Sequence, residues 1–138
     1  MTAKEYLRRI RDAESDLRSA EMDYQRARDD LMKLKAIEYD KDKVNNSHIG
    51  DLSDAIAALE KYAERVNAKW DDLVAMREEA KMRIEQIADG RYREVLHRRY
   101  LQGESWEYIA VGMGYAFRTV TWMHGRALKQ FKVPEKFA

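Results

Sequence analysis

The chain has 138 residues, 26 Lys/Arg against 25 Asp/Glu, 45% hydrophobic residues, one proline and no cysteine. This length holds one domain, or one small domain with an extension, and the periodic apolar residues make it helix-rich and globular rather than disordered. The composition excludes a disulfide framework and thiolate chemistry, and the absence of any long apolar run predicts a cytoplasmic protein without signal peptide or membrane span.

The net charge of +1 conceals an asymmetry. From Arg91 onward there are nine Lys/Arg and four Asp/Glu, a net of +5; before it there are 17 against 21, a net of −4. An acidic N-terminal part joined to a basic module predicts that the module, not the rest, meets a polyanion.

Thr2 and Glu5 have the spacing of a capping box. From there Ala3, Tyr6, Ile10, Ala13, Leu17, Ala20, Tyr24, Ala27, Leu31 and Leu34 alternate steps of three and four, which predicts one helix from about Ala3 to about Glu38. At 1.5 Å per residue it is about 50 Å long and needs a partner for its apolar seam. Asp40 to Asp51 is polar and turn-rich, with Asn45, Asn46, Ser47 and Gly50 as breakers. Asp40 and Asp42 open like a calcium loop, but Val44, Asn45 and Asp51 stand where such a loop needs a ligand, a glycine and a glutamate, so an ordinary solvated connection is expected.

A second helix is predicted from about Ser53 to about Ala88. Its seam is Leu52, Ile56, Leu59, Ala63, Val66, Trp70, Leu73, Ala80, Ile84 and Ile87. Two long helices joined by a dozen residues fold back as an antiparallel coiled-coil hairpin, so residues 1–89 are expected to form that hairpin. Gly90 suits a left-handed C-cap.

The period then changes. Tyr92, Val95, Leu96, Tyr100 and Leu101 predict a short amphipathic helix, broken by Gly103. Ser105 is placed to N-cap a helix over Trp106–Met113. Gly114 and Tyr115 form a turn that needs positive φ, and Ala116–Phe131 forms the last helix. Its inner face is Val120, Met123, Ala127, Leu128 and Phe131, and Ala110 is small where two helices approach. Pro134 stops the chain's helical run and the tail from Val133 is expected to fray. The expected fold is therefore all-α: the long antiparallel hairpin followed by a tri-helical helix-turn-helix domain over residues 90–138.

A helix-turn-helix inserts its second helix into the major groove, which assigns Arg118, in the first turn, to base or phosphate contact. Thr119, Thr121 and Trp122 flank it. Trp122 either covers thymine methyls or sugars, or packs back on the protein. His124, Arg126 and Lys129 are placed for phosphate contact from later turns, the bland reading for each being a solvated face. Arg91, Arg93 and Arg98 either add phosphate contacts or solvate their helix. Gly125, in mid-helix, implies close approach by another helix or by DNA. His48, His97 and His124 are far apart, and no nucleophile–base pair, metal-ligand cluster or phosphate loop is present, so neither enzyme activity, cofactor nor metal is expected.

The segment Arg99-Tyr100-Leu101, Gly103, Trp106-Glu107-Tyr108-Ile109-Ala110, Gly114, Val120 and Arg126-Ala127-Leu128 resembles the DNA-binding region 4 of bacterial sigma factors over about forty residues. With the two-helix part before it, the chain is similar to small phage and prophage regulators of Gram-positive bacteria, of the ArpU and RinA late-transcription type. The resemblance implies a sequence-specific DNA-binding transcriptional regulator in a bacterial host cell, a phage late-gene activator acting with RNA polymerase. It implies double-stranded DNA as partner, the hairpin supplying homodimerisation or polymerase contact, and a pairing of Arg99 with Glu107. At the start of the recognition helix this chain has Phe117, Arg118, Thr121 and Trp122, so only the arginine character of the sigma pattern survives there. The alternative is a polymerase- or repressor-binding interaction protein with little DNA affinity of its own.

Overall fold

The computed structural model describes residues 1–39 and 46–138, and the side chains among them outside 38–49. The described residues are mostly helical, with no strand: α1 (Ala3–Tyr39), α2 (Asn46–Glu85), α3 (Gly90–Leu96), α4 (Trp106–Met113) and α5 (Phe117–Gln130). A π-helical turn, His97–Leu101, continues α3, and a 3₁₀ turn, Glu135–Phe137, ends the chain. None of these helices is long and apolar enough to cross a membrane.

Local chemistry explains most of the helix ends. The Thr2 hydroxyl accepts from the Glu5 amide at 3.1 Å while the Glu5 carboxylate accepts from the Thr2 amide at 2.9 Å, the reciprocal capping box. The Ser105 hydroxyl accepts from the Tyr108 amide at 3.2 Å and opens α4. Gly114, at φ 74°, ends it in the left-handed conformation that lets the chain turn into α5.

Two boundaries differ from expectation. α2 begins at Asn46 rather than Ser53. Asn and Ser are at ease in a first turn, and the seam that follows outweighs the weak helix propensity of Gly50. The calcium-loop comparison falls on 40–45, outside the described residues. Gly90 is not a C-cap either: it is the first residue of α3, and the Asp89 carboxylate caps that helix by accepting from the Arg91 amide at 2.9 Å. α2 has already stopped at Glu85. The turn between them is tied by Arg93, whose Nη1 donates to the carbonyls of Ile87 at 2.6 Å and Ala88 at 2.8 Å.

The chain forms two compact units, residues 14–72 and residues 1–13 with 73–138. In the first, Asp23, Ala27, Asp30 and Leu34 of α1 line one groove with Ala55, Ala58 and Tyr62 of α2. The buried side chains among the described residues of this unit, Leu17, Ala20, Ala27 and Leu31, all belong to α1. Ile56 and Trp70, expected in the seam, keep 41% and 44% of their surface exposed. Two helices cover a seam from one side only, so the wider apolar arc of α2 stays partly open.

The second unit has one core. Tyr6, Leu7 and Ile10 from the start of α1, and Leu73, Ala80 and Ile84 from the end of α2, are buried in the same unit as Val95, Leu96, Ile109, Val120, Met123 and Ala127. The tail is packed rather than frayed. The Phe137 ring lies 5.5 Å from Tyr6 and 4.1 Å beneath the Arg9 guanidinium, Lys136 Nζ meets Glu79 at 3.0 Å, and the N-terminal amine donates to the Phe137 carbonyl at 3.1 Å. An aromatic residue near the end of the chain thus closes over the first turns of α1.

Candidate nucleic-acid interface

α5 carries no carboxylate, and its inner and outer faces are chemically distinct. Val120, Met123, His124 and Ala127 are buried. Opposite them Arg118, Trp122, Gly125 and Lys129 follow steps of four, three and four, which place them on one exposed stripe. Arg126 flanks the stripe, with its guanidinium 4.5 Å from the centre of the Trp122 ring. Arg118 and Lys129 are exposed and make no ion pair among the described residues.

Of the seven residues singled out for DNA contact, Arg118, Trp122, Arg126 and Lys129 therefore come together on the outer face. Trp122 faces outward, 53% exposed, which decides between the two orientations left open by its sequence position. Thr121 is half-buried on the edge of this face and its hydroxyl donates to the Arg118 carbonyl at 3.0 Å. Thr119 is half-buried.

His124 is a correction. It is only 9% exposed, shares a 2.7 Å hydrogen bond between Nε2 and the Tyr100 hydroxyl, and meets the Trp106 ring edge-on at 4.6 Å. Burial, then the nearby Lys4 and Arg99, push its pKa down to about 4, so the ring is neutral at pH 7. It joins α5 to the π turn and to α4, and it has no charge to offer a phosphate.

The arginines before α4 are each engaged by partners within the chain. Arg98 bridges Glu94 at 2.8 Å and Glu104 at 3.2 Å. Arg99 donates to the Glu104 carbonyl at 3.1 Å and lies 4.4 Å over Trp106, in place of the expected pairing with Glu107. Arg91 pairs with Asp89 at 3.0 Å, and Arg93 holds the α2–α3 turn. The π turn gives these residues their separate targets: Arg98 lies against Gly112, Arg99 against Trp106 and Tyr100 against His124. On the outer face of α5, by contrast, Arg118 and Lys129 are exposed without an ion pair among the described residues, and exposed Lys132 follows just beyond the helix end.

The structure decides one open reading and adds one feature that the sequence reading missed. Gly125 has open space where a side chain would stand, so no helix approaches it, and with Thr121, Trp122, Arg126, Lys129 and Gln130 it lines a shallow concavity of about 460 Å³. Tyr108, Val111, Tyr115 and Phe117 are all exposed, Val111 by 83%. Periodicity alone marked α4 as a helix with a buried side; the apolar character of its open side was the available signal.

No protein-family model matches the chain, and neither a curated protein nor a solved structure matches it.

Proposed function

We propose that the chain is a sequence-specific DNA-binding transcriptional regulator of sigma-region-4-like type. In this reading α3–α5 form a tri-helical helix-turn-helix domain, with α5 as the recognition helix, and α1 and α2 form a long antiparallel coiled-coil hairpin that serves self-association or polymerase contact. The observation that carries it is the outer face of α5: a stripe with no acid, three cations and an exposed tryptophan, on a helix entered through a left-handed glycine turn. Such a face attracts a polyanion, and a helix of this length fits the major groove, which is about 12 Å wide.

Arg118, in the first turn, reads base edges; Lys129 and Arg126 meet the sugar–phosphate backbone. A fluorescence-anisotropy titration of labelled duplex DNA tests the assignment. Arg118→Ala is expected to lose about tenfold in affinity for a selected site and little for random duplex. Lys129→Ala is expected to weaken both alike and to lower the salt slope by about one. Binding that is unmeasurable at about 100 mM salt, for random and selected duplexes alike, overturns the proposal.

A second reading, a protein that docks on polymerase or a repressor, is favoured by the exposed Tyr108, Val111 and Tyr115 on α4 and the turn. Polymerase capture without DNA that survives Arg118→Ala supports it.

A further inference from the structure

Gly125 is costly where it stands. Glycine in the middle of a helix forfeits backbone entropy that alanine would keep. Packing does not require it: a Cβ built there meets nothing within 4 Å, and its φ is not in the left-handed region. Folding alone would be better served by any ordinary side chain. What the glycine does is leave the surface of α5 bare between Trp122 and Lys129, as the floor of the concavity that Thr121, Arg126 and Gln130 complete.

We propose that this bare floor is a seat for the sugar–phosphate backbone of duplex DNA, about two turns beyond the base-reading end of α5. The inference rests on the DNA-binding reading above and deepens it. Charge fixes the kind of occupant: the residues around the notch include Arg126 and Lys129 and no carboxylate. Length fixes its place. At 1.5 Å per residue, Gly125 lies about 10 Å along the axis from Arg118 and Lys129 about 16 Å. With Arg118 at base edges, a groove about 12 Å wide brings its bounding strand opposite Gly125 and Lys129. The flat Trp122 ring, held by Arg126, then faces a deoxyribose, while Lys129 and the released edge of Arg126 meet the phosphate. The helix has to come close enough for these short-range contacts, and a side chain at 125 would hold it off.

The test separates folding from binding, because the two respond in opposite directions. The full chain carrying Gly125→Ala or Gly125→Leu is compared with wild type in thermal unfolding and in duplex-DNA titrations at several salt concentrations. Both variants are expected to unfold about 2–4 °C higher, because the helix improves and nothing clashes. Both are expected to bind more weakly, Gly125→Leu by about tenfold, with the log–log salt slope reduced by about one phosphate. Unchanged affinity and slope in Gly125→Leu, with wild type binding normally, overturn the backbone seat and leave the DNA-binding reading standing. Wild type that binds no duplex overturns both. Single-stranded RNA of equal length competing as well as the duplex overturns the choice of occupant.

Discussion

At the scale of single residues, His124 shows how burial reassigns a side chain. Its position on α5 reads as a phosphate contact, but the Tyr100 hydroxyl and the Trp106 ring enclose it. Because its folded pKa is depressed to about 4 from an ordinary value near 6.5, the unfolded chain binds the extra proton first as pH falls. Stability is therefore fully present above about pH 6.5 and declines from there toward pH 4, by about 2 kcal/mol at most after allowing for partial hydration. Urea denaturation of wild type and His124→Gln at pH 7 and pH 4.5 checks this: the variant is expected to lose less on acidification. Gly114 is the opposite case, a residue whose role is visible in the chain itself. Its φ of 74° strains any other side chain, so Gly114→Ala is expected to cost about 1–2 kcal/mol in the same measurement.

At the scale of elements, what was legible was whatever depends on neighbours within four residues. Thr2 and Glu5 announce the start of α1, Ser105 that of α4, and Gly114 the turn, because capping and positive φ are decided locally. The elements that differ turn on side-chain contacts that spacing alone does not reveal, some of them local and some distant. Gly90 opens a helix because Asp89 caps it and Arg93 fastens the carbonyls before it. The tail is ordered because Phe137 finds Tyr6 and Arg9, well over a hundred residues away. Tyr6 itself donates to the Glu79 carboxylate at 2.5 Å, and burial with that carboxylate pushes the phenol's pKa upward. Removing the tail's anchor by Phe137→Ala is expected to cost about 1–2 kcal/mol in thermal or urea unfolding, although a frayed tail would cost nothing. The candidate interface was half legible for the same reason. Helical spacing gathers Arg118, Trp122 and Lys129 on one side, while the direction of Trp122 and the burial of His124 depend on what packs beneath α5.

At the scale of the whole molecule, the basic segment from Arg91 onward matters less by its total charge than by where that charge is free. Arg91, Arg93, Arg98 and Arg99 hold turns and helices together, and Arg118, Arg126 and Lys129 remain on one face of α5. If α5 reads DNA as proposed, it makes two phosphate contacts of its own, so a modest salt slope of about two is expected for one chain and about twice that for a dimer on paired half-sites. The slope and the stoichiometry, measured together by anisotropy and light scattering, distinguish those two assemblies. The measurement closest to the central claim is footprinting of the purified full chain on fragments of its own genome, wild type beside Arg118→Ala. Wild type is expected to protect a discrete site that fades in the variant; no discrete site for wild type, at any concentration below non-specific coating, contradicts a DNA-reading α5.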